Sequence, residues 1–137
     1  MGHNLYNKQS EWNDTKAEIR DGVKKMNALL DSSSQRLEND LRNKRIFEFA
    51  AKKDIVNMYS STIKISKHFS DILESSRITS SIHEEDFKFM QDETNNEMAL
   101  LLKKFQSEFK KLFGFHEDIN NHVDRSGNPT KKLFGLF

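Results

Sequence analysis

The sequence predicts an all-α protein, an elongated antiparallel bundle of three to four helices with a flexible C-terminal tail. Among its 137 residues Pro129 is the single proline, and Gly22 is the only glycine between Gly2 and Gly114. Almost the whole body of the chain therefore lacks a strong helix breaker. Apolar residues along this body recur at intervals of three and four, the period of a helix that buries one face.

The first predicted helix carries a narrow apolar stripe, which shifts by one residue at Leu41 and is followed by a broader apolar patch over residues 46–51. Two polar interruptions compete for its end, Asp31–Ser34 and Lys52–Asp54. A break at the serines gives four helices of moderate length. A break at Lys52–Asp54 gives three long helices, which we favour, with the serines as a weak point inside the first. The stripe consists of Trp12, Ile19, Val23, Met26, Leu30 and Leu37.

The second predicted helix has a wider apolar face and so faces two neighbours, as a central helix does. A wide face of this kind indicates that the helix packs between the other two. Its stripe is Ile55, Met58, Thr62, Ile65, Phe69 and Ile72, flanked by Val56, Tyr59, Ile63 and Leu73.

The third helix is predicted to begin at Ser81 and Glu84, whose spacing is that of a capping box. Acidic residues at its start and lysines at its end suit the helix dipole. A fourth, short helix is predicted over Glu117–Val123. The third stripe consists of Phe87, Met90, Met98, Leu101, Phe105, Phe109 and Leu112.

Three segments follow from this reading: an N-terminal extension (1–8), a helical bundle (9–124), and a linker with an apolar tail (125–137). The last boundary rests on Ser126–Pro129, which breaks any helix. No window approaches the roughly 18 apolar residues of a membrane span, and the first residues lack the pattern of a signal peptide. We therefore expect a cytoplasmic protein.

Composition and motifs argue against an enzyme. With 22 basic and 21 acidic residues the net charge is +1, so no strong field attracts nucleic acid or an acidic membrane. The absence of cysteine excludes thiol catalysis, disulfides and cysteine metal ligands. Glu-x-x-His pairs for a di-metal site, phosphate-binding glycine loops and nucleophile elbows are also missing, and His116 and His122 point to different sides of a helix. We expect no catalytic residues, no metal and no cofactor.

A repeat at the end of the chain is the feature that points to a partner. The segment Lys110–Phe115 recurs as Lys131–Phe137, beyond the predicted linker. Large apolar side chains on such a segment are predicted to fold back on the bundle, dock on a partner or touch a membrane. The candidate partner-binding residues are Lys131, Lys132, Leu133, Phe134, Leu136 and Phe137, with Lys110, Lys111, Leu112, Phe113 and Phe115 as a second copy.

The segment Leu133–Phe137 resembles the short C-terminal peptide by which bacterial DNA polymerases and related factors dock on the sliding clamp. That peptide has roughly the pattern Gln-Leu-(Ser/Asp/Gly)-Leu-Phe. Gly135–Phe137 match it, whereas Leu133 stands at the glutamine position and Phe134 at the first leucine position. The resemblance implies a protein partner, a sliding clamp among the candidates, that receives a Leu-Phe pair in an apolar pocket.

The predicted function is thus a non-enzymatic protein–protein interaction module, an adaptor or modulator. The alternative is a self-associating structural subunit of a virion, secretion or cytoskeletal assembly. Polar Lys16, Ser33 and Lys44 along the first stripe argue against a long regular coiled coil and leave discrete homo-oligomers open.

A second alternative is peripheral membrane or nucleic-acid binding by the basic and aromatic last third of the chain. The helical spacing of its phenylalanines indicates core positions, which argues against direct nucleic-acid binding. So few exposed aromatics would give only weak membrane contact. The residues concerned are Lys103, Lys104, Phe105, Phe109, Lys110, Lys111, Phe113, Phe115, Arg125, Lys131 and Lys132.

Overall fold

The computed structural model describes the backbone of residues 2–80 and 82–130, and the side chains of residues 9–79 and 82–130. Within this part of the chain the all-α class and the three long helices are confirmed, and no strand is present. Among the described residues, no helix is both long enough and apolar enough to cross a membrane. The helices are α1 (Gly2–Arg42), α2 (Glu48–Ser80) and α3 (Glu84–Phe113), followed by a 3-10 helix (Ile119–His122).

Contacts between side chains give the directions of the helices. Trp12 bonds Asp86 and Ser34 bonds Glu108, each pair lying 74 residues apart in sequence, so α1 and α3 run parallel. The ring of Tyr59 lies 5.4 Å from that of Phe105, and Arg77 lies 5.5 Å from the ring of Phe87, so α2 runs antiparallel to α3. The chain therefore runs up, down and up again.

The core is built from the three predicted stripes. Trp12 and Leu30 on α1 and Phe105 on α3 are at most 1% exposed. On α2 the buried face is wider than the predicted stripe, because this helix packs against both α1 and α3. Three residues of the stripe and three of its predicted flanks are buried, whereas Met58, Ile65 and Ile72 are only partly buried. The six buried residues are Ile55, Thr62 and Phe69 of the stripe and Val56, Tyr59 and Leu73 of the flanks.

The first helix ends at neither predicted interruption. After Arg42 the chain turns with Lys44 in the left-handed region, at φ 57°. The amide of Arg45 donates to the carbonyl of Asp40 at 2.8 Å, and that of Lys44 to Leu41 at 3.2 Å, which is the Schellman pattern. Glycine usually occupies the position that Lys44 takes here, so the sequence lacked the expected signal.

Both predicted interruptions lie inside helices. Ser33 and Ser34 are 8% and 6% exposed within α1, and the Ser34 hydroxyl bonds Glu108 on α3. Lys52–Asp54 lies in the second turn of α2. Lys52 bridges Glu117 at 2.9 Å rather than ending a helix. Ser34 and Lys52 are thus satisfied by partners distant in sequence, which a local pattern cannot show.

The third helix begins at Glu84, with His83 at the N-cap and without a side-chain capping bond. The predicted capping box is therefore wrong in position, since Glu84 is the first helical residue rather than the third; Ser81 lies outside the described residues. The predicted helix over Glu117–Val123 is a shorter 3-10 helix, capped by Asp118, whose side chain accepts from the amide of Asn120 at 2.9 Å.

The segment predicted to be a linker forms a closed turn over its described residues. The Asp124 carboxylate accepts from the amides of Ser126 and Asn128, both at 2.9 Å. The Asp124 amide donates to the carbonyl of Asn128 at 2.8 Å, and Val123 pairs with Pro129 in an antiparallel bridge. Ser126–Pro129 is not helical, as predicted, but these residues are tied to the bundle.

Gly127 is the contact point between this turn and α2. Its φ is +84°, and a Cβ atom added there would lie 2.7 Å from Cγ2 of Ile63. Such an approach is closer than van der Waals contact permits. The turn therefore needs glycine both for its backbone conformation and for its packing on α2.

Gly127→Ala is expected to lower the free energy of unfolding by about 1–3 kcal/mol, because the new residue is strained and meets Ile63. Gly114→Ala is the matched control, since φ there is +116° but nothing lies within 4 Å of the added Cβ. Urea unfolding of both variants separates the cost of backbone strain, which both share, from the cost of the collision with Ile63, which only Gly127→Ala has. A second substitution, Ile63→Ala, should recover part of the loss in Gly127→Ala; equal losses at the two glycines would contradict this packing.

Candidate interaction site

The predicted site residues divide into two groups. Lys131, Lys132, Leu133, Phe134, Leu136 and Phe137 lie outside the residues that the structure describes. The first copy of the repeat, Lys110–Phe115, spans the last turn of α3 and the residues after it. We call this end of the bundle, where α1 ends, α2 begins and the 3-10 helix packs, the repeat end.

Lys110 stabilises the end of α3. The chain leaves the helix at Gly114, whose amide donates to the carbonyl of Lys110 at 2.8 Å. The Lys110 ammonium donates to the carbonyls of Phe115 at 3.1 Å and Glu117 at 3.0 Å. The positive charge of Lys110 also interacts favourably with the negative end of the helix dipole. Lys110 therefore makes its hydrogen bonds within the bundle. The ammonium of Lys111 lies 3.8 Å from the carboxylate of Glu38.

The Leu-Phe pair of the first copy packs inward. Leu112 and Phe113 are partly buried against the core. The ring of Phe113 lies 4.9 Å from that of Phe109 and 5.4 Å from the ammonium of Lys52. Phe115 behaves differently, since it is 74% exposed. The structure therefore separates the predicted residues of the first copy: only Phe115 presents an aromatic face to solvent.

An ion cluster fixes the 3-10 helix to α2. Lys52 lies 2.9 Å and His122 lies 3.6 Å from the carboxylate of Glu117. The hydrogen bond from Lys52, with its charge, holds the pKa of Glu117 below its usual value. Tyr59 donates to the side chain of Asn120 at 2.6 Å. These contacts hold His122, and with it the residues that follow, in a defined place.

Exposed aromatic residues gather at the repeat end. Phe47 is 87% exposed and directly precedes α2, where its carbonyl accepts from the amide of Ala51 at 3.0 Å. Phe49 is 43% exposed in the first turn of that helix. In the sequence Phe47 and Phe49 belong to an apolar patch, and nothing in the pattern marked them as surface residues. A residue at a helix start has no periodicity that could have shown this.

The supposed basic and aromatic patch separates in the structure. Phe105 is 1% exposed and Phe109 is fully buried, so neither ring can stack on a base while the bundle is folded. Lys104 pairs with Asp31 at 2.6 Å. Phe105 and Phe109 therefore occupy the core positions that their spacing predicted, whereas Phe115 is exposed.

Two open grooves of about 250 Å³ each run along the bundle. The first lies between α1 and α3 beside the pair Arg20–Glu93, and contains the buried hydroxyl of Thr94, which has no hydrogen-bond partner within the described part of the chain. The second lies between α1 and α2 and has mainly apolar walls; we call it the Met26–Met58 groove. Its lining residues are Met26, Leu29, Asn57, Met58, Ser61, Thr62, Ile65 and Phe105.

The opposite end of the bundle carries a polar contact between α1 and α3. The indole of Trp12 donates to Asp86 at 2.5 Å, and the Lys16 ammonium lies 3.4 Å from the same oxygen. The hydrogen bond from Trp12, followed by the charge of Lys16, lowers the pKa of Asp86. This contact joins the first turn of α3 to α1.

Asp86→Asn is expected to reduce the loss of stability in acid. Because the pKa of Asp86 is lower in the folded chain, its carboxylate stabilises the fold above its unfolded pKa of about 3.9, and this contribution is lost as the pH falls through the folded value. Unfolding followed by Trp12, the single tryptophan, at about pH 7 and pH 3 measures the difference. Asp71→Asn, at an exposed position, is the control. Identical pH dependence in all three chains would contradict the coupling.

Among the described side chains, those of residues 9–79 and 82–130, no cluster of three or more histidine, aspartate or glutamate residues is suited to a metal. His116 stacks on Phe115 at 3.8 Å, and His122 packs 5.5 Å from the ring of Phe109. Comparisons of the chain with protein-family models, with curated proteins and with solved structures found no match.

Proposed function

We propose that this chain is a non-enzymatic protein–protein interaction module, an adaptor or modulator, that docks on a protein partner through Leu133–Phe137. The observation that supports the proposal is the anchored turn before this segment. The amide of Thr130 donates to the carbonyl of His122 at 2.9 Å, and the turn packs on Ile63 of α2. The elongated antiparallel bundle would then present the segment from a fixed point.

The chemistry of the segment suits docking into an apolar pocket. Its side chains include Leu133, Phe134, Leu136 and Phe137, and large apolar anchors of this kind dominate the binding energy of small interfaces. Gly135 between the pairs lets the backbone bend. Lys131 and Lys132 would lie at the rim, where charges steer association with an acidic surface. A sliding clamp is the specific candidate, on the resemblance of Gly135–Phe137 to clamp-docking peptides.

The test compares proteins captured from the native lysate by three forms of the chain. The first is the full chain, and the second is the control Phe115→Ser, at the exposed position of the first copy. The third is the four-serine variant, which replaces Leu133, Phe134, Leu136 and Phe137 together. We expect a partner that is retained by the first two and lost from the third. Identical capture by all three would overturn the proposal.

Self-association is the second candidate, because exposed aromatics favour it at the repeat end. Phe47 and Phe115 are 87% and 74% exposed, and together they could form a contact between two copies. Sedimentation over a wide concentration range tests this. The double change Phe47→Ser with Phe115→Ser should abolish association, whereas Ile78→Ser, at an exposed residue of the opposite end, should not. A monomer at all concentrations would exclude this candidate.

A further inference from the structure

The Met26–Met58 groove is an apolar surface that the proposed function does not yet use. Leu29 on its α1 side is 56% exposed, Met26 and Met58 are partly buried, and its floor includes Phe105. Its volume is about 250 Å³, and an apolar cavity of about 150 Å³ is known to hold benzene. The groove therefore has room for an aromatic ring and an aliphatic side chain. Methionine walls adapt to the shape of what they bind.

The described chain ends close to this groove along the bundle axis. Tyr59 packs on Phe105, and one turn further along the same antiparallel pair Phe109 lies opposite Ile55. The ring of His122 is 5.5 Å from that of Phe109, and the His122 carbonyl accepts from Thr130. Thr130 is thus held near the level of Ile55, about one helical turn from the groove.

The remaining residues are long enough to reach it. The anchored turn lies on the α3 side of α2, through Gly127 and Ile63, whereas the groove lies on the α1 side. Half the circumference of a helix is about 16–19 Å, from a diameter of about 10–12 Å. Seven extended residues, 131–137, span about 23–25 Å. Residues 136 and 137 can therefore cross α2 and enter the groove.

The end of the segment suits the same placement. A segment that crosses α2 would bring Leu136 and Phe137 to Met26 and Met58. Tethering raises the effective concentration of the segment to the millimolar range, so even a weak intrinsic affinity would fill the groove.

We propose that Leu136 and Phe137 occupy the Met26–Met58 groove of their own chain at rest, so that a partner must displace them to bind. This inference rests on the proposed function for the docking role of the segment. The bundle would then carry the docking segment and also bind it in the groove when no partner is present. Only molecules with an empty groove would bind the partner, so the apparent affinity would equal the intrinsic affinity multiplied by the fraction of such molecules.

Methionine methyl NMR tests this occupancy without any partner. The full chain and the four-serine variant are compared, both labelled at the methionine methyl groups. We expect the resonances of Met26 and Met58 to move between the two chains, while those of Met90 and Met98, which face α1 and the core from α3, stay in place. Unchanged resonances of Met26 and Met58 would overturn the inference.

A groove variant with a matched control tests the site itself. Leu29→Glu places a charge on the groove wall, and Leu100→Glu places one at a similarly exposed leucine of α3, at 56% and 61% exposure. The effect of the four-serine change on Met26 and Met58 should vanish in Leu29→Glu and persist in Leu100→Glu. Persistence in both variants would place the segment elsewhere. An effect that grows with protein concentration would mean that the segment of a second copy fills the groove, which also contradicts the inference.

The two proposals fail in different ways. If the four-serine variant loses its partner while Met26 and Met58 are unchanged, docking stands and storage in the groove is wrong. If the resonances of Met26 and Met58 move while the captured proteins are identical, the segment packs on the bundle and does not bind the partner. In that case the groove assignment stands and the proposed function fails.

Discussion

Replacing Phe105 by alanine is expected to lower the free energy of unfolding by about 3–5 kcal/mol. The ring is 1% exposed, packs 5.4 Å from Tyr59 and forms part of the floor of the Met26–Met58 groove. Neighbouring side chains on long, mutually packed helices cannot collapse into the space that it leaves, so the cavity adds to the lost transfer energy. Urea unfolding followed by helical circular dichroism measures the loss.

Two further substitutions calibrate this prediction. Leu30→Ala, at a fully buried residue of α1, should cost about 2–5 kcal/mol. Leu100→Ala, at a residue 61% exposed, should change stability by less than about 0.5 kcal/mol. Losses below about 0.5 kcal/mol at both Phe105 and Leu30 would show that the core is wrongly assigned.

The second large effect concerns binding. Phe137→Ala is expected to weaken the partner complex by at least about 2 kcal/mol, or roughly thirtyfold, because an aromatic anchor in a pocket is a typical hot spot. The four-serine variant should lose measurable binding. Titration of the purified partner with each variant gives the affinities, and Phe115→Ala in the first copy is the control.

Stability should respond far less than binding. A segment held in an open groove contributes only about 1 kcal/mol to the free energy of unfolding. The midpoint of thermal unfolding of the four-serine variant should therefore lie within a few degrees of that of the full chain, with unchanged helix content. A fall of about 10 °C or more would show instead that Leu133–Phe137 belongs to the core. Thermal unfolding of both chains decides between these results.

The course of the helices could largely be predicted from the sequence, because buried residues recur with the helical period. Leu30 and Phe109 lie in the core for this reason. The end of α1 could not be predicted, since Lys44 takes a left-handed conformation that normally marks a glycine. The start of α3 was misplaced because the helix begins after His83, which makes no side-chain capping bond and so leaves no signal in the sequence.

The surroundings of the candidate site were harder to predict. The repeat was visible in the sequence, but its first copy packs Phe113 inward and exposes Phe115, a difference created by the break at Gly114. Ser126–Pro129 was correctly predicted to be non-helical. Its packing depends on the close approach of Gly127 to Ile63, a contact between segments that no local pattern records.

Competition by the isolated segment tests docking through Leu133–Phe137. A synthetic peptide of residues 130–137 is added to the preformed complex of the full chain and its partner, with a peptide of scrambled sequence as the control. If Leu133–Phe137 is the docking element, the peptide displaces the full chain and the scrambled peptide does not. If the complex persists with the peptide in large excess, the partner binds another surface of the bundle and the account is wrong.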